Sequence, residues 1–227
     1  MHAYLDTTTA VMEAGLKVAT YVDISTDDIG DVFMGGGFPD STLDEHLWIV
    51  SWLTDLQSDV AVTTIVDSLS YLVDNALSVN ARNATAMFVK HNYSYLSADT
   101  TVSFTDITNH GNLQIEGLQG ELATINGELV STVRDKEVTD ANTIWNDWTI
   151  EIQATDLEFA KDGSSWTSGC PNAGTCTVNV EYTQARNEDI PTTTNWQFDI
   201  TFTDGNIAVD VTVGHLTTSY EHALCTP

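Results

Sequence analysis

The chain has 227 residues, of which 33 are Asp or Glu and only 7 are Lys or Arg, for a formal net charge of -26 at neutral pH. A surface this negative repels nucleic acid and anionic membranes, since either must approach against a field of its own sign. With 42% hydrophobic and 9% aromatic residues the chain still buries enough apolar surface to offset its ordering entropy, which excludes a disordered acidic tail.

Thr7 to Ile24 reads as a helix weakened by its threonines and by Gly15. In Ser25-Thr26-Asp27-Asp28-Ile29-Gly30-Asp31, Ser25 or Thr26 caps a short helix whose positive end the acids favour. Read as chemistry, Asp27, Asp28 and Asp31 are candidate calcium ligands, although the run lacks the alternating ligands and terminal Glu of an EF-hand. The glycines of Met34-Gly35-Gly36-Gly37-Phe38-Pro39 end regular structure, and no Lys or Arg accompanies them to form a phosphate cradle. Thr42 and Glu45 match a capping box, which predicts a helix with Leu47, Trp48, Trp52 and Leu56 on one face. A second helix is expected from about Ser58 to Val79.

From Ala86 the apolar period changes to two. Met87 to Leu96, Thr101 to Ile107 and Leu113 to Leu118 are predicted strands, and Asn126-Gly127 signals a hairpin. Asp162-Gly163 signals another, with Phe159 opposite Trp166. Val178, Val180 and Tyr182 alternate with polar residues. The clearest unit turns at Asp204-Gly205: it sets Phe202 against Ile207, Ile200 against Val209, Phe198 against Val211 and Trp196 against Val213. Longer loops are expected at Arg134 to Thr143, Thr167 to Cys176 and Gln184 to Asn195.

These elements predict an α+β fold. Residues 1–85 would form a helical layer, packed on a large antiparallel β-sheet, sandwich or open barrel made by residues 86–227. No low-complexity linker separates the two parts, so one compact unit is expected.

The Asp204-Gly205 register has a chemical consequence, because it places Asp199 directly across from Asp210. Facing like charges destabilise a sheet unless salt, a bound cation, a neighbouring base or a raised pKa relieves them. Asp199 and Asp210 are therefore candidate metal ligands, with calcium the cation considered. His46, His91, His110, His215 and His222 form no metalloprotease pattern, and His215, Glu221 and His222 are the nearest approach to a metal trio. Trp145, Trp148 and Trp166 are the aromatic candidates for ligand binding, weighed against core packing. Cys170 and Cys176 bracket a turn-rich stretch that suits a disulfide and an oxidising compartment, while Cys225 either stays free or pairs instead with one of them. Asn83-Ala84-Thr85 and Asn92-Tyr93-Ser94 fit the glycosylation sequon, a triplet that also arises by chance.

No apolar stretch approaches the length of a membrane helix, and Met1-His2-Ala3 does not begin a signal peptide. No catalytic residue emerges. Acidity, abundant Thr and the expected disulfide together point to a non-catalytic extracytoplasmic domain, secreted, periplasmic or on the cell surface, that binds a protein or small molecule and is stabilised by salt or calcium. Two alternatives remain: a self-assembling subunit of a surface layer, fibre or larger complex, and a carboxylate- or metal-using hydrolase.

Overall fold

The structure, a computed structural model, describes residues 40–52, 61–79, 83–97, 103–139, 142–162, 165–166, 171–187, 189–204 and 206–223. Among the described residues thirteen strands follow one another: β1 (Asp40–Asp44), β2 (Leu47–Trp52), β3 (Ala61–Val73), β4 (Ala76–Ser78), β5 (Ala86–Ser97), β6 (Ser103–Glu116) and β7 (Leu122–Val138). After these come β8 (Thr143–Asp162), β9 (Ser165–Trp166), β10 (Ala173–Arg186), β11 (Thr192–Thr203), β12 (Asn206–Val213) and β13 (Leu216–Ala223). Strands that are consecutive along the path β1-β2-β3-β5-β6-β7-β8-β10-β11-β12-β13 pair antiparallel, in a single meander. β4 lies on the same edge of β3 as β2 and continues it, taking Tyr71 to Val73 where β2 takes Ile65 to Ser70.

The described residues contain no α-helix, which overturns the N-terminal helical layer. Thr42 sits inside β1 opposite Ile49, and Glu45, at φ 54°, starts the turn to β2; together they cap nothing. Spacing misled because the apolar residues of this region happen to recur at three and four. Residue type decides otherwise: Val62-Thr63-Thr64-Ile65-Val66 is an unbroken β-branched run, which loses χ1 freedom in a helix and keeps it in a strand. Asp74 and Asn75, at φ 49° and 65°, then turn the chain into β4 as a type I′ hairpin requires. The helix expected over Thr7 to Ile24 lies outside the described residues.

Other expectations divide. The Asp204-Gly205 hairpin has the predicted register at all four apolar pairs. Asn126-Gly127 is not a turn; it lies inside β7, where the ladder to β8 shifts register. β8 and β9 do pair antiparallel, but Lys161 rather than Phe159 lies opposite Trp166, so the register differs from the predicted one. The two strands expected at Thr101 to Ile107 and Leu113 to Leu118 are one, β6. Much of the loops expected at Arg134 and Gln184 is strand in β7, β10 and β11.

Alternation divides the sheet into two faces. On the inner face Leu69, Tyr71, Met87, Val89, Ile115, Ile125, Ile152, Val178, Val180, Phe198, Ile200 and Val211 join one buried cluster that runs from β3 to β12. One bare side of a flat sheet stays wet, so exposures of 0% for Tyr71, Met87, Ile115 and Val178 mean that this face is covered.

One extra residue in β8 makes a bulge that both neighbouring ladders share. Ile125 pairs with Leu157 but Gly127 with Ala154; on the other flank Ala173 pairs with Glu158 but Thr175 with Thr155. Both shifts are absorbed at Asp156, in the left-handed region at φ 49°, whose backbone N–H donates to Asn126 Oδ1 at 2.8 Å.

Candidate functional site

At the middle of β8, β10, β11 and β12 the cross-strand neighbours on the outer face are polar. Thr149 pairs with Glu181 and Glu181 with Asn195; one step along, Glu151 pairs with Asn179, Asn179 with Gln197 and Gln197 with Thr212. These residues, with Val180, Trp196 and Gly214, line an open depression of about 580 Å³. Its chemistry is two carboxylates, three side-chain amides and two hydroxyls, with no basic group. Such a surface accepts hydrogen bonds at the carboxylates and both donates and accepts at the amides.

Directly behind it, on the inner face of the same strands, stands an aromatic layer. Trp148 and Tyr182 face each other across β8 and β10 with ring centroids 4.0 Å apart. Trp196 lies 6.3 Å from both, nearly parallel. A hydrogen-bonded row closes one end. Tyr182 Oη donates to Asn146 Oδ1 at 2.7 Å, Gln184 Nε2 donates to the same oxygen at 3.0 Å and to Tyr182 Oη at 2.8 Å, and Asn146 Nδ2 donates to Asp135 Oδ2 at 3.0 Å. Partial burial raises the Tyr182 pKa, and the Asp135 charge adds to this against the Gln184 hydrogen bond. The layer packs against the core on the strands that carry the depression.

Of the aromatic candidates, Trp148 belongs to this layer and packs against the core. Trp145 points to the opposite face, with Lys136 Nζ 4.9 Å above its ring. Trp166, on β9, pairs with Lys161 of β8. Tyr182 and Trp196 were legible as inward-facing residues of their strands. What sequence could not supply was the register of β8 against β10, which no tight turn fixes.

Asp199 and Asp210 are paired as predicted. Asp199 also receives Thr177 Oγ1 at 3.1 Å and Gln197 Nε2 at 2.8 Å, so neutral donors share its charge. Among the described residues no group of three or more His, Cys, Asp or Glu is placed to hold a metal ion. Asp27, Asp28 and Asp31 lie outside those residues. His215 sits in the turn before β13 and His222 near that strand's end, about 20 Å apart at the rise of a strand, so they do not meet in a metal trio. His91 is 8% exposed, against Gly111. His110 contacts Asn92 Oδ1 through Nδ1 at 2.9 Å.

No disulfide occurs among the described residues. Cys176 is a free thiol, 2% exposed on the inner face between Ala154 and Ile200, because strand alternation turns it into the core. Burial pushes its pKa up to about 12. Cys170 and Cys225 lie outside the described residues. No described helix is long and apolar enough to cross a membrane.

Comparison with protein-family models, with curated proteins and with solved structures gives no match.

Proposed function

We propose that the protein is a non-catalytic, extracytoplasmic binding domain whose outer-face depression takes a neutral, hydroxyl-rich ligand of the carbohydrate class. The observation that carries this reading is the depression's lining: Glu151, Glu181, Asn179, Asn195 and Gln197 brought together from three strands, with no Lys or Arg. Ligand hydroxyls donate to the carboxylates, while the amides satisfy hydroxyls in either sense. Anionic ligands are repelled at the site and by the whole molecule. An extracytoplasmic setting is supported by composition: carboxylates and hydroxyls keep the surface hydrated where salt screens its self-repulsion. Exposed cross-strand threonine pairs, Thr183 with Thr193 and Thr212 with Thr217, are joined by hydrogen bonds on that same surface.

A screen of neutral and acidic oligosaccharides, followed by calorimetry, tests the reading. Neutral glycans bind, acidic ones do not, and Asn179→Ala or Gln197→Ala weakens binding at least about tenfold, whereas Lys90→Ala on β5 leaves it unchanged. Absence of any neutral-glycan binding at millimolar concentration, or binding indifferent to both amide variants, rules the site out.

A further inference from the structure

The last strand of the meander leaves an edge open. β13 pairs with β12 on one side, and among the described residues nothing pairs with it on the other. The turn Gly214-His215 closes on Val213 and Leu216, so Leu216, Thr218 and Tyr220 direct their backbone groups at β12 while Thr217, Ser219 and Glu221 direct theirs at the open edge. Leu216 and Tyr220 share the inner face with Val213 and Val209, which pack against the core. Yet Leu216 is 77% and Tyr220 56% exposed, so the apolar face of the sheet continues past its last buried strand into water.

Natural edges discourage pairing with Lys, Pro or closely set charges. Leu216-Thr217-Thr218-Ser219-Tyr220-Glu221-His222-Ala223 has no Lys or Pro and a single acid, whereas β1, at the other edge, carries Asp40 and Asp44 at its two ends.

We propose that β13 pairs antiparallel with β13 of a second copy about a two-fold axis at Thr218, making one sheet continuous across two molecules. Side chains that meet across a ladder must share a face, so the axis passes through a residue. Centred on Thr218, the pairing sets Leu216 against Tyr220 and Thr217 against Ser219, each twice. Centred on Ser219 it would oppose Leu216 to His222 and Thr217 to Glu221, and centred on Thr217 it would leave Tyr220 opposite Gly214. Only the Thr218 register covers both exposed apolar residues with each other. Each copy carries a charge of -26, so the pairing opposes a long-range repulsion and strengthens with salt. It does not depend on what fills the depression.

A cysteine at the axis tests this directly. Across the two-fold, the two Thr218 residues form a non-hydrogen-bonded pair with Cα atoms about 4.5 Å apart, within disulfide reach, while two Ser219 residues are staggered beyond about 7 Å. In a Cys170→Ser, Cys225→Ser background, Thr218→Cys gives a reducible dimer under mild oxidation in about 2 M sodium chloride, at least about tenfold more than Ser219→Cys does. Sedimentation velocity of the unmodified chain shows a dimer in that salt that dissociates at about 0.05 M, and Tyr220→Lys abolishes it with an unchanged circular dichroism spectrum. Equal cross-linking at 218 and 219, a monomer in high salt, or head-to-tail polymers built from β13 on β1 would each overturn the proposal.

Discussion

Asp156 and Gly174 are locked together across β8 and β10: a Cβ on Gly174, at φ 111°, would fall 2.3 Å from the Asp156 carbonyl oxygen. On the other flank of β8, a Cβ on Gly127 would fall 2.1 Å from the Asn112 carbonyl oxygen. Backbone stands in the way at both places, and backbone within a ladder cannot yield as a side chain does. Gly174→Ala and Gly127→Ala should therefore each cost about 3 kcal/mol or more in denaturant unfolding, well beyond the cost of an ordinary surface change. Asp156→Gly, which relieves a left-handed φ of 49°, should be nearly neutral. A Gly174→Ala protein of unchanged stability would mean that the bulge is not built this way.

How much of this was legible in the sequence depends on whether a local signal fixed the register. Asp204-Gly205 sits between two alternating runs, and the whole β11–β12 ladder, including Asp199 opposite Asp210, follows from it. Asn126-Gly127 has an equally strong turn signature, but here the glycine serves close approach to β6, which only the partner strand reveals. Residues 42–52 and 61–79 show the converse failure, where apolar spacing spoke for helix and β-branched content for strand, and content prevailed. The depression lay beyond reach because its lining comes from strands whose mutual offsets are set by the long β8 ladder and its bulge.

Alkaline pH should destabilise the fold. Burial raises Cys176 from 9.0 to about 12 and Tyr71 from 10.0 to about 12. Both groups stay protonated when folded and ionise on unfolding, so their contribution is complete below about pH 9 and is lost as pH rises towards 12. Urea midpoints should fall steadily over that window, and native Cys176 should resist thiol reagents until the protein unfolds. Tyr71 Oη has no hydrogen-bond partner among the described residues, so Tyr71→Phe should raise stability by about 1 kcal/mol and flatten part of the alkaline slope. An unchanged slope in that variant would remove Tyr71 from the account.

The facing carboxylates of Asp199 and Asp210 make a separate forecast about ions. Asp210→Asn removes the repulsion and leaves the Thr177 and Gln197 hydrogen bonds to Asp199 intact. Stability at low ionic strength should rise by about 0.5 kcal/mol, and the gain should shrink in molar salt as screening does the same work. Thermal melts across sodium chloride and calcium series, with chelator controls, distinguish two mechanisms. A rise at micromolar calcium that Asp210→Asn abolishes indicates a bound cation, whereas a rise only in molar salt indicates screening.

Trp148 and Tyr182 separate stacking from hydrogen bonding in the layer behind the depression. Tyr182→Phe keeps the ring 4.0 Å from Trp148 but deletes the donor to Asn146 Oδ1. Asn146 Oδ1 retains Gln184 as a donor, so the loss should be only about 1 kcal/mol, with the near-ultraviolet circular dichroism of the stacked rings preserved. Trp148→Ala removes the shared face of the stack and should cost about 3 kcal/mol, with that signal lost. Its effect should also cross the sheet: Thr149 and Glu151, beside it on β8, line the depression, so glycan affinity should fall although no ligand touches residue 148. If Trp148→Ala removes the spectral signal and leaves affinity intact, the two faces are independent, and the aromatic layer supports the fold alone.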